Sequence, residues 1–143
     1  MKRSRYLFLF FFLLAVFLFF IVFIFYLQRY SVPLETRSIS LSFEVGEVYA
    51  FDLNTSFLSF GRLPPGGFAT RSVSVDNTYP FPIEVVIIPS ESILSYAEHQ
   101  SSIYLASGAH SSVKIGVSVP ETISGGRYSG TVTFFIYRSR KSI

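Results

Sequence analysis

The sequence predicts one membrane-crossing helix followed by an all-β domain of seven or eight antiparallel strands packed as a sandwich. Three observations carry that prediction. Residues 6–27 run YLFLFFFLLAVFLFFIVFIFYL, with no charge, proline or glycine. Past Pro33 this block gives way to Ser, Val, Thr, Gly and aromatics in period-2 alternation. Clusters of Pro and Gly then break the alternating runs at short intervals.

The apolar run comes first because it decides the class. At 1.5 Å per residue, a helix of 22 residues is roughly 33 Å long, enough to cross a hydrocarbon core of about 30 Å. The run is longer than the 7–15 residue core of a cleaved signal peptide. The sequence after it, Gln28-Arg29-Tyr30-Ser31-Val32-Pro33, shows no small-x-small cleavage pattern. An uncleaved signal anchor is therefore expected, in lipid contact through residues 6–27. Lys2, Arg3 and Arg5 precede the run and only Arg29 closely follows it. The positive-inside rule then places residues 1–5 in the cytoplasm and the C-terminal domain outside. Tyr6, Tyr26 and Tyr30 suit the two interfaces. About nine phenylalanines lie in the run, which reads as bulk hydrophobicity because no small-xxx-small motif accompanies them.

The remaining divisions are a tether at 28–37, the β-domain at 38–138 and a basic tail at 139–143. Four of the twelve Lys and Arg residues flank the helix, so eight face all nine acids. A nearly neutral domain has no electrostatic footprint for nucleic acid. The absence of cysteine excludes a disulfide scaffold, a thiol nucleophile and a Cys-type zinc site.

The strands follow in order. Ile39, Leu41 and Phe43 alternate with Ser38, Ser40, Ser42 and Glu44. After Gly46, residues 48–53 read as a second strand. Val73 and Val75 alternate with Ser72, Ser74 and Asp76. Residues 83–88 are more continuously apolar, interrupted only by Glu84, which predicts a central strand. Val113, Ile115, Val117 and Val119 alternate with Ser112, Lys114 and Ser118. Tyr128, Val132, Phe134 and Ile136 alternate with Ser129, Thr131 and Thr133. Pro64-Pro65-Gly66-Gly67, residues 77–82, Ser107-Gly108 and Ser124-Gly125-Gly126 supply the turns. Only residues 90–99 leave room for a helical turn.

Several of these stretches resemble a known pattern. Leu63-Pro64-Pro65-Gly66 is followed by Val73-Ser74-Val75-Asp76-Asn77, then Leu105-Ala106-Ser107-Gly108, the Val113-to-Pro120 run and Gly126-Arg127-Tyr128-Ser129-Gly130-Thr131-Val132. This is similar to the "L-x-P-G … V-x-V-x-N … L-x-x-G … V-x-V-x-V-P … G-x-Y-x-G-x-V" run of immunoglobulin-like sandwiches on bacterial and archaeal surface proteins. Those include domains appended to secreted glycosidases and the camelysin/TasA-like fibre proteins. The resemblance covers residues 63–137 and implies an immunoglobulin-like sandwich. Gly66 and Gly108 would start strands after tight turns, Asn77 would end one, and Gly126 would admit the last hairpin. It brings no catalytic residue. One N-terminal span followed by an outside β-sandwich is also the layout of archaellum stator proteins. An archaeal surface protein is the expectation these likenesses support.

Few residues in the sequence are suited to catalysis or metal binding. His99 and His110 are the only histidines, expected on exposed loops; a metal site would need both and a carboxylate such as Glu98 or Glu121. No G-x-S-x-G elbow, phosphate-binding loop or dinucleotide fingerprint is present. No enzyme activity, cofactor or metal is expected.

Four candidate partner contacts remain. Tyr79 and Phe81, within Tyr79-Pro80-Phe81-Pro82, form an aromatic loop tip suited to a protein or glycan partner. Phe135 and Tyr137 extend the apolar character of the last strand to its outer face, in a strand expected near a sheet edge and open to pairing. Asn54-Thr55-Ser56 is a glycosylation sequon. Arg138, Arg140 and Lys141 form the basic tail. The reading that follows is a non-enzymatic, membrane-anchored domain outside the cell that binds or positions an envelope component: a surface layer, a filament or a membrane partner. The alternatives are an accessory subunit packed through its Phe-rich helix and a self-assembling fibre subunit, which leaves a homo-oligomer open.

Overall fold

A computed structural model of the chain describes residues 2–47 and 57–139. The predicted strand at 48–53, the Asn54 sequon, Arg140 and Lys141 lie outside the described residues. The chain divides into two units, Met1–Val32 and Pro33–Ile143.

The first unit is helix α1 (Lys2–Ser31). Its stretch Tyr6–Gln28 is long and apolar enough to cross a membrane. The run contains nothing that breaks a helix, and Pro33 follows its end. Apolar side chains are exposed around the whole circumference. A helix apolar all round is matched to lipid or to other apolar helices rather than to water. Phe19 and Phe23, one turn apart, stack with ring centroids 6.2 Å apart.

The second unit holds eight strands among the described residues: β1 (Glu35–Val45), β2 (Leu58–Leu63), β3 (Phe68–Asp76), β4 (Ile83–Pro89), β5 (Ala97–His99), β6 (Ser102–Leu105), β7 (His110–Ser118) and β8 (Gly126–Arg138). A short helix, α2 (Glu91–Leu94), follows β4. One sheet has the order β2-β1-β8-β4-β6 and the other β3-β7-β5. The inward side chains of both sheets form one core. Leu41 and Phe43 of β1, Val132 and Phe134 of β8, and Val85 and Ile87 of β4 lie in it with Val113, Ile115 and Val117 of β7. Each such side chain contributes about 1.5–3 kcal/mol by leaving water.

The alternation in the sequence becomes these two faces, with four corrections. β1 and β2 pair in parallel, Leu41 opposite Leu58 and Val45 opposite Leu63, so the strands are not all antiparallel. β8 is not near an edge: it pairs with β1 on one side and β4 on the other. Regular structure takes in most of the predicted tether, because α1 runs to Ser31 and β1 starts at Glu35. The histidines lie on strands rather than loops; His99 is half-buried on β5 and His110 begins β7.

Two turns show local sequence setting local structure. Gly67 N–H donates to Pro64 O at 2.8 Å with Gly66 at φ +74°. Ala109 N–H donates to Ala106 O at 3.1 Å with Gly108 at φ +72°. Both are turns whose third residue needs positive φ, and Pro65 presets the second position of the first.

α2 caps one end of the core by inserting Ile93, which is fully buried, beside the inner face of β8. Ser90 Oγ accepts from Thr131 N–H at 3.0 Å, and Ser92 Oγ donates to Ser129 O at 3.1 Å. The space they need exists because residue 130 is glycine. A Cβ there would stand 2.5 Å from Ser90 Oγ, 2.7 Å from Ser92 Oγ and 2.9 Å from Ile93 Cγ1. Gly130→Ala is expected to destabilise the domain by about 2 kcal/mol, since the serines must abandon their bonds and Ile93 must shift. Urea denaturation of the full chain in detergent checks it; an unchanged midpoint would show that α2 yields freely.

Candidate functional site

Two surfaces of the β-domain stand out. The first is the outer face of the five-stranded sheet. Successive residues of a strand point to opposite faces, so the strands that bury Val132, Phe134 and Ile136 turn Phe135 and Tyr137 outward. Register places Phe135 opposite Val86, Tyr137 opposite Glu84, and Thr133 opposite Ile88. Glu84 is opposite Tyr104 on the next strand. Phe135, Tyr137, Val86, Ile88 and Tyr104 thus form an apolar and aromatic platform over β8, β4 and β6. Ile88 is 50% exposed and Tyr104 is 40% exposed, while Val86, Phe135 and Tyr137 are half-buried by their neighbours. Tyr104 Oη donates to Glu84 Oε1 at 2.7 Å, which holds the one charge in the platform to a neighbour.

The sequence identifies Phe135 and Tyr137 but not Val86, Ile88 and Tyr104. The largely apolar run at 83–88 predicts a central strand. β4 is an interior strand, yet its outer face is uncovered among the described residues. The apolar outer side chains of that run are themselves the signal, and the same signal appears in Phe135 and Tyr137.

The second surface is a groove of about 600 Å³ between the two sheets. One wall is the first half of β1, the other is the last half of β3, and Val85, Phe134 and Ile136 make the floor. It is open because the inward positions of β1 stop being apolar. Leu41, Phe43 and Val45 are buried, but the same face continues through Ile39 to Arg37 and Glu35. Arg37 Nε donates to Glu35 Oε1 at 2.7 Å, with 71% of the Arg37 side chain exposed. That carboxylate, by hydrogen bond and then by charge, raises the Arg37 guanidinium above its ordinary pKa.

Tyr79 closes one end of this groove. The predicted aromatic loop tip is clamped rather than projecting. The Tyr79 and Phe81 rings stack at 5.3 Å and 22°, both half-buried against the core. The Arg138 guanidinium sits 4.1 Å from the Phe81 centroid, a cation–π contact worth about 0.5–1 kcal/mol. Arg138 of the predicted basic tail is thus part of the fold. Asn77 anchors the loop beneath: Tyr79 N–H donates to its Oδ1 at 3.0 Å, and its Nδ2 donates to Phe81 O at 2.9 Å. Asn77 is read in the sequence as a strand end; its part in fixing this loop has no local signal.

Among the described residues no group of three or more His, Asp or Glu side chains is placed to hold a metal ion. His99 and His110 are not brought together with Glu98 and Glu121 into such a group. What both surfaces offer is apolar contact, with strand-edge hydrogen bonding added in the groove. No protein-family model, curated protein or solved structure matches the chain.

Proposed function

We propose that this chain is a membrane-anchored, immunoglobulin-like β-domain outside the cell that binds and positions a protein partner of the envelope. The observation that carries the reading is the outer platform of Phe135, Tyr137, Val86, Ile88 and Tyr104. Apolar side chains on three adjacent strands, without a covering element among the described residues, are what a protein contact surface requires. A protein that kept this face in water would gain from replacing Ile88 with a polar residue. Two sheets sharing one core support the immunoglobulin-like arrangement. The long apolar helix supports anchoring, and the excess of basic residues before it supports an N-terminus in the cytoplasm.

The role proposed is contact, not catalysis. The anchor confines the domain to a surface and so raises its effective concentration for partners on the same membrane. The platform supplies the hot-spot chemistry, with aromatic anchors at its centre.

Photocrosslinkers placed singly at Ile88 and Tyr104 of the full chain, in intact cells, test this. The expected result is one discrete protein adduct from both positions, with the Tyr104 adduct reduced at least tenfold by Ile88→Glu and thermal unfolding unchanged. Half-exposed Ile88 should tolerate the change within about 1 kcal/mol. Adducts with lipid alone, or none at all, would remove the platform as a partner site. Adducts only from a further photocrosslinker at Phe17 of α1 would assign the partner to the helix instead.

A further inference from the structure

We infer that the groove between β1 and β3 receives an extended segment of a partner chain, which adds a strand to the open edge of β1. This goes beyond the outer platform and rests on different residues.

Among the described residues β2 covers β1 only from Leu41 to Val45, leaving Glu35–Ser40 paired with β8 on one side alone. β3 pairs with β7 and with no other strand among the described residues. Alternate residues along each of these edges direct their N–H and C=O groups away from the sheet. The groove therefore has a row of main-chain donors and acceptors on each side. A small-molecule pocket instead carries a few convergent polar side chains.

Packing points the same way. On β7, the inward residues Val113, Ile115 and Val117 are completely buried. Their direct cross-strand neighbours on β3, namely Val73, Arg71 and Ala69, are all only half-buried. The core is thus incompletely covered along this seam. The unpaired stretch Glu35–Ser40 is about 20 Å long. A segment of five or six residues would fill it, laying two or three alternate side chains over Ile39, Val75, Phe134 and Ile136.

Charge sets the chemistry of the occupant. Arg37 is already matched by Glu35. Asp76 is exposed at the rim and has no ion-pair partner among the described residues. The groove thus has one acidic position to offer and no cation left over. The fitting partner is an extended segment with apolar residues at every second position and a Lys or Arg at the end that reaches Asp76.

The test uses the full chain in detergent micelles and a fluorescent peptide of alternating valine and threonine ending in lysine. Binding is expected by anisotropy. N-methylation of alternate peptide residues should weaken it at least tenfold in one of the two phases, because those N–H groups join the ladder. Asp76→Lys should weaken it at least tenfold and transfer preference to a glutamate-ended peptide. Val75→Arg should block it, and the exposed Asp76 variant keeps the test valid if Val75→Arg does not fold. Ile88→Glu should leave it unchanged, which separates this site from the outer platform. Absence of binding would overturn the proposal, as would equal binding of both N-methylated phases. So would a crosslink from Val75→Cys to residues 48–56 of the same chain, since the groove would then be filled from within.

Discussion

Replacing Asn77 with alanine is expected to lower the stability of the β-domain by about 3 kcal/mol, the sum of lost hydrogen bonds and newly orphaned carbonyls. For a domain of this size that is a fall in Tm of about 10–20 °C. Asn77 is 2% exposed. Its Nδ2 donates to Phe81 O at 2.9 Å, Leu105 O at 3.2 Å and Ala106 O at 2.8 Å. Its backbone N–H donates to Ala109 O, and its backbone O accepts from Gly108 N–H. One side chain thereby ties the end of β3 to the loop before β4 and to the turn between β6 and β7. Alanine keeps the backbone bonds and removes every side-chain bond. Ala106 O keeps its bond from Ala109 N–H, so the desolvation cost falls on Leu105 O, where the lost bond is buried, and in part on Phe81 O.

Asn77→Asp sharpens the test because it is nearly isosteric. Its carboxylate would face three carbonyl oxygens with no hydrogen to give. It should be at least as destabilising as alanine at pH 7. Burial and those oxygens disfavour the charged form, so the folded pKa rises above the unfolded value of about 3.9. A raised folded pKa means relative stability is present below the unfolded pKa and lost as pH rises through the folded one. The aspartate variant should therefore regain stability on acidification and the alanine variant should not. Thermal unfolding of both across pH 4–7 decides it. A cost under 1 kcal/mol for alanine, or parallel pH profiles, would mean that the three carbonyls find other donors.

What the sequence reveals here follows from how local each signal is. β1, β3, β7 and β8 are visible because most of their outward positions are Ser, Thr or charged, so the period of two survives in the text. β2 is not, because Leu58, Ser59 and Phe60 are buried in succession and leave no alternation. β5 and β6 are too short to show a period. Neighbour relations are a different matter. Nothing in Thr131–Tyr137 tells whether the strand is flanked by one partner or two; that β8 lies between β1 and β4 is a product of long-range pairing. The groove is built from β1, β3, β4 and β8, and its one trace in the sequence is that Glu35 and Arg37 continue the odd-numbered series Ile39, Leu41, Phe43. The platform shows the converse limit: an apolar run reads alike whether its second face is covered or bare.

The same reasoning gives the strongest expectation for α1. Leu14→Arg together with Phe17→Arg should abolish stable membrane association, moving the chain out of the carbonate-resistant membrane fraction. Each arginine near the middle of a span costs roughly 2.5–3.5 kcal/mol on an insertion scale, so two cost about 5–7 kcal/mol. That is a shift of more than about a thousandfold in the equilibrium. No neighbouring acid within the span can pair with them, since Tyr6–Gln28 contains none. Single alanine replacements separate anchoring from helix packing. A helix that serves only as an anchor gains its stability from total apolar area, and loses little when any one of its phenylalanines is trimmed. A helix packed in a complex loses binding at positions three and four apart on one face and at no others. Uniform tolerance at Phe10, Phe11, Phe12 and Phe20, which sample all sides of the helix, with retention in the membrane, is the expected outcome. Sensitivity confined to one face would shift the main partner contact from the β-domain to the membrane.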